Sequence, residues 1–391
     1  MAYERHRISI VQLVLSPEFW LAAALFLGRS PLSRFMIPID TPYCAAAVAL
    51  AVALIASSVR RKLRWSSHAE RIITVYSVAF VALLTSFYWS TQPDYALDKI
   101  LGFALLTYLP VLIIAFITID TRRLSLAFTV LGIILLVGSL AGGIGKFIAN
   151  PVRLSAYGGG ANAFGRFMAT AAIAAHSGDL HSRAWLCSIF IAGTVMSQSR
   201  GAFLSLVATI GFYLIYRGRR DLRAVGTMAV MVAVLLAVGW SLLPVGLRTS
   251  LVVRLGSVST DMPGSSSIMA RRIMAEDARE AFWAKPITGW GLGAFRDVSI
   301  VRYPHNLILE IISETGLFGA TTILLPVALA GVRCCTLWGC AEFSKKPYPY
   351  WYVFAVLSSM FSGDIVDSRT AYVFAALILY YAPKQGMSSG A

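Results

Sequence analysis

Long apolar runs alternate with short polar segments from one end of this chain to the other. Runs of roughly 17–25 residues are long enough to cross the hydrocarbon core of a bilayer as helices. The pattern predicts an all-α polytopic membrane protein, a single membrane domain over 1–391 with about twelve transmembrane helices. The predicted spans are about 10–28, 42–59, 72–90, 97–119, 124–145, 162–177, 184–198, 201–216, 224–243, 306–332, 349–365 and 370–382.

One polar excursion is much longer than the others and covers about 244–305. Between 271 and 286, charged residues separate four apolar residues at helical spacing: Ile273, Ala278, Ala281 and Phe282. This spacing predicts an amphipathic helix that lies on the membrane surface or covers a cavity.

The composition agrees with a membrane protein, since 57% of the residues are hydrophobic and only 14% are charged. A soluble domain is about 25% charged. The net charge of +15 could indicate nucleic-acid binding. However, basic residues are about twice as frequent in the predicted inner segments as in the short outer ones. The distribution of positive charge therefore predicts the orientation in the membrane, with both termini in the cytoplasm and the long loop outside.

This topology brings polar residues from distant parts of the sequence to the outer boundary of the membrane. They are Arg153, Asn162, Arg200, Arg271, Arg272, His305, Asp364, Asp367 and Arg369. Arg200 alone would equally fit a side chain that anchors a helix end at lipid headgroups. Several arginines on one face instead predict a site for a phosphate-bearing ligand, because arginine stays charged and binds phosphate bidentately.

The segment 286–319 joins a glycine-rich turn to an apolar helix through Pro304, His305 and Asn306. A histidine at a helix start is often only a cap. Beside arginines, however, its charged form is disfavoured, so a neutral His305 could act as a general base.

Two carboxylates, Glu310 and Glu314, follow in the same helix. In a regular helix they point away from His305, and we expect them to bond neighbouring helices or an arginine. The sequence contains no Walker loop, no histidine-rich cluster and no GxSxG pattern. We therefore expect a site that needs no cofactor and no metal.

Four segments resemble the O-antigen ligase and polysaccharide polymerase family of bacterial membrane glycan transferases. They are SQSRGAFLSL (197–206), ARRIMAEDAREAFWAKP (270–286), GWGLGAF (289–295) and HNLILEIISETGLFG (305–319). The upstream turn RLSAYGGGAN (153–162) also resembles a turn of that family. The resemblance covers about 150–330.

The resemblance implies a GT-C-like glycosyltransferase in the bacterial inner membrane, with its active site on the periplasmic face. Such enzymes transfer a glycan from undecaprenyl diphosphate to an acceptor hydroxyl, without a metal and with inversion. Arg200 and Arg271 match the diphosphate-binding arginines, and His305 matches the base. Arg272 and Arg153 are further candidates for the diphosphate. Supporting positions are Asn162, Asn306, Glu310, Glu314, Gly291 and Gly293.

Several functions stay open at this point. Within the family, an O-antigen ligase that acts on lipid A core or a related acceptor is favoured over a repeat-unit polymerase. A lipid or polysaccharide flippase would also place ionisable groups in a membrane cavity. It would, however, be expected to show internal repeats and charges near the midplane. A non-catalytic scaffold of a polysaccharide assembly complex is the third class.

Overall fold

The part of the chain that the structure describes is largely helical. The computed structural model describes residues 8–30, 42–60, 65–149, 154–155, 160–177, 184–217, 266–337 and 340–381, with positions 226, 230 and 233. These residues contain no β-strand. Their helices are α1 Ile10–Val14, α2 Pro17–Leu27, α3 Cys44–Arg60, α4 Ser67–Phe87, α5 Pro93–Phe103, α6 Leu109–Phe116, α7 Thr121–Ala149, α8 Gly160–Ser177, α9 Ala184–Met196, α10 Arg200–Arg217, α11 Ser266–Ala284, α12 Phe295–Val298, α13 Leu307–Ile323, α14 Leu325–Thr336, α15 Ala341–Ser344, α16 Tyr348–Ser359 and α17 Arg369–Tyr380.

Each predicted span overlaps at least one helix wherever its residues are described, although 72–90 and 349–365 run past the helix ends at Phe87 and Ser359. The ninth, 224–243, lies outside the described residues apart from three isolated positions. Three helical stretches are long and apolar enough to cross a membrane alone: Ser67–Phe87, Pro93–Phe116 and Thr121–Ala141. The pair α13 and α14, bent by 44°, passes the same test together, and five further apolar helices are shorter. The all-helical architecture is confirmed for the described residues, whereas the number of crossings stays a prediction.

Aromatic rings tie the central helices together. The ring centroid of Phe128 on α7 lies 5.0 Å from that of Trp351 on α16 and 6.0 Å from that of Phe374 on α17. The rings of Trp351 and Phe374 stack at 5.4 Å. Such pairs stabilise a core beyond the area that they bury. They pack α16 and α17 against α7 and against each other, and the turn that joins α16 to α17 is part of the candidate site.

Helix α13 is interrupted at Gly316, whose φ is +61°. The glycine-rich turn before the helix bonds the backbone groups around this break. Four backbone hydrogen bonds join the two segments: Leu317 N to Pro286 O (2.8 Å), Phe318 N to Ile287 O (3.1 Å), Gly291 N to Glu314 O (2.7 Å) and Trp290 N to Ser313 O (3.1 Å). An irregular helix in an apolar environment requires such internal partners. The turn therefore completes the broken helix.

Helix α11 is the amphipathic helix predicted within the long loop, of which the structure describes the part from 266 onwards. Its buried stripe consists of Met274, Ala278 and Ala281, and the helix packs against α13. Ile273, which we predicted on this face, is exposed. That prediction was wrong because a helical stripe through Ala278 and Ala281 continues back to Met274 and Arg271, three and four residues apart.

Candidate functional site

His305 occupies a constrained turn immediately before α13. Its φ is +56°, in the left-handed region that residues other than glycine rarely adopt. The next residue, Asn306, caps the helix, because its side-chain oxygen accepts a hydrogen bond from Leu309 N at 3.1 Å. Its Nδ2 donates to Met360 O at 3.2 Å. The turn is thereby fixed both to α13 and to the end of α16.

The imidazole of His305 lies in a partly buried, electropositive environment. Its ring meets the ring of Tyr303 edge-on, with 4.6 Å between the centroids. Nδ1 is buried and has no hydrogen-bond partner among the described residues. Burial lowers the pKa of His305, and the positive charges of Arg271 and Arg166 lower it further. The imidazole is therefore neutral near pH 7 and able to accept a proton.

The adjacent arginines of α11 point in different directions. The side chain of Arg272 is 76% exposed and forms an ion pair with Glu276 at 3.2 Å. Arg271 lies on the buried stripe and is half-buried. Burial lowers the pKa of Arg271, and so does the nearby positive charge of Arg200. Of the two, Arg271 is the one that faces the other predicted site residues.

The turn Met360–Gly363 gathers segments that are far apart in the sequence. Gly201, at the start of α10, packs so closely on Phe361 that a Cβ there would lie 2.5 Å from the Phe361 Cβ. Asn162 donates from Nδ2 to Ser362 Oγ at 3.1 Å, and Asn306 bonds Met360 as described above. The segments that carry Asn162, Arg200 and His305 therefore all contact this turn.

A polar cavity of about 350 Å³ opens beside His305. Its lining is Gly160, Ala161, Asn162, Ala163, Arg166, Phe167, Thr170, Tyr303, His305, Phe354, Ser362, Gly363, Asp367, Arg369 and Thr370. Burial, with the charges of Asp367 and Asp364, raises the pKa of Tyr303 to about 12, so its phenol stays protonated. Arg200 and Arg271 are not among the lining residues; the charge of Arg271 acts on His305 from α11.

Residues 185–324 match the sequence model of the O-antigen ligase family. The match confirms the resemblance of the motifs to this family over that segment. A search of curated proteins gave no match. The chain is supported as a membrane glycan enzyme of the ligase or polymerase type, and the matched O-antigen ligase segment contains Arg200, Arg271 and His305.

Upstream of the O-antigen ligase segment, Arg166 is a cavity residue that sequence reasoning missed. It lies one helical turn after Asn162 on α8, so the spacing could have drawn attention to it. It donates to Ser358 O at 2.9 Å and also to the carbonyls of Ser362 and Asp367. Arg166 thus holds the α16–α17 turn in place and adds positive charge near His305.

A second missed group is the ion pair between Arg29, after α2, and Asp364. Arg29 Nη2 lies 2.6 Å from Asp364 Oδ2, and Tyr95 donates to the same oxygen at 3.2 Å. The buried carboxylate of Asp364 is thus paired with an arginine. No group of three metal-ligating side chains occurs in the part of the chain that the structure describes.

Within the O-antigen ligase segment, Glu310 and Glu314 bond a neighbouring helix as expected. Their partner is Lys99 of α5, whose Nζ lies 2.6 Å from Glu310 Oε1 and 2.7 Å from both carboxylate oxygens of Glu314. All three side chains are buried. The group, which we call the Lys99 triad, joins α5 to α13 and lies apart from the cavity lining.

The glycines of the O-antigen ligase segment serve close packing. Gly291 and Gly293 have φ of +100° and +78°. A Cβ on Gly291 would lie 2.5 Å from Ser90 Cα, and Gly293 N donates to Glu314 Oε2 at 2.9 Å. These glycines support the Lys99 triad. Arg153, the remaining predicted site residue, lies outside the described residues.

Proposed function

We propose that this protein transfers a glycan from undecaprenyl diphosphate to an acceptor hydroxyl, and that it is an O-antigen ligase acting on lipid A core or a related acceptor. The observation that carries the proposal is the order of charges around His305. The positive charge of Arg200 lowers the pKa of Arg271, and the positive charge of Arg271 lowers the pKa of His305. His305 in turn lines the polar cavity.

Departure of the diphosphate is the step for which the two arginines are suited. Breaking the bond between sugar and phosphate places negative charge on the diphosphate oxygen. Arg200 and Arg271 supply positive charge for that oxygen from fixed positions at the start of α10 and on the inner stripe of α11. One well-placed donor is worth on the order of 2.7–4 kcal/mol in such a transition state.

His305 activates the acceptor hydroxyl. A neutral imidazole takes the proton of the attacking hydroxyl as the new glycosidic bond forms, and a general base of this kind contributes roughly 10²–10⁴-fold. Attack opposite to the leaving diphosphate inverts the anomeric centre. The residues of this mechanism require no metal and no organic cofactor.

The membrane arrangement of the proposal follows the sequence. The protein lies in the bacterial inner membrane as a GT-C-like enzyme with about twelve crossings. Both termini are cytoplasmic, and His305 lies at the periplasmic face, where lipid-linked glycan and acceptor meet. The charge asymmetry of the loops supports this orientation.

Purified protein, mixed with lipid-linked glycan and acceptor, tests the activity directly. Arg200→Ala and Arg271→Ala should each reduce transfer about 10²–10³-fold, and His305→Ala should reduce it about 10²–10⁴-fold. Arg272→Ala is the matched control, because its exposed side chain pairs with Glu276. Transfer at the wild-type rate by His305→Ala and Arg200→Ala would refute the site assignment.

A gene deletion separates ligase from polymerase. Cells that lack a ligase still accumulate long lipid-linked polymer. Cells that lack a polymerase carry at most single repeat units on their acceptor. Single-repeat surface glycan in the deletion strain would exclude the ligase and leave the polymerase.

A further inference from the structure

The polar cavity carries hydrogen-bonding side chains beside aromatic rings. Its wall includes Asn162, Ser362, Thr370, Asp367, Phe167 and Phe354. A sugar presents hydroxyl groups at its edge and C–H groups on its faces, so it needs both polar and apolar partners. Small-molecule sites generally combine an apolar lining with a few placed polar groups. This lining is of the kind that fits a carbohydrate.

The arginines of the cavity direct their donors into the protein backbone. Arg369 donates to Leu25 O from Nε at 3.0 Å and from Nη2 at 2.7 Å. Arg166 donates to Ser358 O and to two carbonyls of the turn that follows α16. Guanidiniums that already bond carbonyls have fewer donors for a phosphate. The cavity is therefore a poor site for the diphosphate.

The carboxylate of Asp367 keeps its capacity to accept hydrogen bonds. The side chain is 37% exposed, and its Oδ1 lies 3.8 Å from Arg369 Nη1 and 3.9 Å from Arg29 Nη1. Both distances exceed a hydrogen bond. Asp364, in contrast, is fully buried and bonds Arg29 at 2.6 Å. A carboxylate that lines a cavity can accept hydrogen bonds from hydroxyl groups.

His305 lines the cavity, whereas Arg271 of α11, whose positive charge acts on His305, does not. A hydroxyl bound in the cavity therefore lies beside the imidazole. The cavity volume of about 350 Å³ is near the lower limit of small-molecule sites, roughly 300–1,000 Å³. It accommodates the end of a glycan rather than a long stretch of one.

We infer that the polar cavity is the acceptor subsite and binds the terminal sugar of the acceptor, with the Asp367 carboxylate accepting hydrogen bonds from its hydroxyl groups. This inference rests on the proposed function, because it names the substrate class that binds beside His305. The donor diphosphate binds at Arg200 and Arg271.

Saturation-transfer NMR on the detergent-solubilised full chain tests sugar binding independently of catalysis. The probes are methyl glycosides of glucose, galactose and mannose, with methylenediphosphonate as the anionic probe. Asp367→Asn should weaken binding of the preferred glycoside about tenfold, as expected for the loss of a charged hydrogen-bond acceptor, and leave diphosphonate binding unchanged. Arg271→Ala should show the reverse. Glu276→Gln, an exposed carboxylate on α11, is the matched control and should bind both probes like wild type.

Transfer kinetics supply the second measurement. Asp367→Asn should raise the KM for the acceptor about tenfold and leave the KM for the lipid-linked donor unchanged. A raised donor KM with an unchanged acceptor KM, or glycoside binding that survives Asp367→Asn, would overturn the inference. If wild type transfers no glycan yet binds glycosides through Asp367, the proposed function fails and the carbohydrate site stands.

A second variant covers the case in which Asp367→Asn does not fold. Thr370→Val replaces a cavity hydroxyl of α17 with a methyl group of similar shape. It should weaken glycoside binding roughly threefold, in line with the loss of one neutral hydrogen bond, and leave diphosphonate binding unchanged. Unaltered glycoside binding by a folded Thr370→Val would count against the acceptor subsite.

Discussion

The positive charge of Arg271 lowers the pKa of His305, although the two residues lie on separate elements. Arg271 belongs to the buried stripe of α11, and His305 ends the turn before α13. The same guanidinium is placed to stabilise a leaving diphosphate. One residue can therefore serve both halves of the proposed reaction, because a charge that attracts the diphosphate also keeps the base neutral.

Removal of Arg271 should change the pH dependence of transfer as well as its rate. His305 must be neutral to act as a base, so activity is present above its pKa and lost as the pH falls through it. In wild type this acid limb should lie below about 6.5, the ordinary pKa of histidine. Arg271→Ala removes a charge that disfavours the imidazolium, so the limb of kcat/KM against pH should move to higher pH.

Arg272→Ala is the control for this measurement. Arg272 is exposed, pairs with Glu276 and is not among the charges that act on His305. The acid limb of the pH profile of Arg272→Ala should coincide with that of wild type. An acid limb in Arg271→Ala that stays at the wild-type pH would show that Arg271 does not act on the base.

The Lys99 triad should be essential to stability as a unit rather than residue by residue. Lys99→Met leaves Glu310 and Glu314 buried together without a cation. Removing one partner of a buried ion pair costs about 3–5 kcal/mol. We expect a large drop in the thermal unfolding midpoint of the detergent-solubilised protein, followed by tryptophan fluorescence.

The triple variant Lys99→Met, Glu310→Gln, Glu314→Gln distinguishes charge from packing. It removes the uncompensated carboxylates and keeps the volumes close to those of wild type. Its midpoint should lie well above that of Lys99→Met. If the single and triple variants unfold at the same temperature, unpaired buried charge is not the reason that Lys99→Met destabilises the contact between α5 and α13.

The positions of the helices could be predicted from sequence because apolar runs and polar breaks are local signals. The helix cap at Asn306 is also a local feature, because its partner Leu309 is only three residues away. The partner of Glu310 and Glu314 could not be predicted in this way, because Lys99 lies on another helix and only the fold brings it near. Sequence alone also kept Arg272 as a further candidate beside Arg271. The stripe through Met274 separates them, and that stripe was misplaced when Ile273 was assigned to it.

Asn306→Ala should affect activity more than stability. The loss of a helix cap costs on the order of 0.5–2 kcal/mol. The same substitution also removes the hydrogen bond to Met360 O that ties the His305 turn to α16. We therefore expect a modest fall in the unfolding midpoint but a clear fall in kcat. Asn306→Asp keeps the cap oxygen and loses the donor, so recovery of stability without recovery of kcat would assign the positioning role to Nδ2.

Gly316→Ala tests whether the break in α13 is built into the fold. At φ +61° an alanine is strained, and its Cβ would lie 2.4 Å from Ile287 O, a backbone atom that cannot move aside easily. Strain of this kind costs on the order of 1–3 kcal/mol. The substitution should lower the unfolding midpoint and weaken the docking of the glycine-rich turn, which protease cleavage near 286–293 would report.

Gly211→Ala is the matched control, because Gly211 lies within α10 with nothing within 4 Å of an added Cβ. There alanine should be neutral or stabilising by up to about 1 kcal/mol. Gly316→Ala could instead prove as stable and as resistant to protease as Gly211→Ala. In that case the fold does not require the break in α13, and the hydrogen bonds around Gly316 do not hold the glycine-rich turn in place.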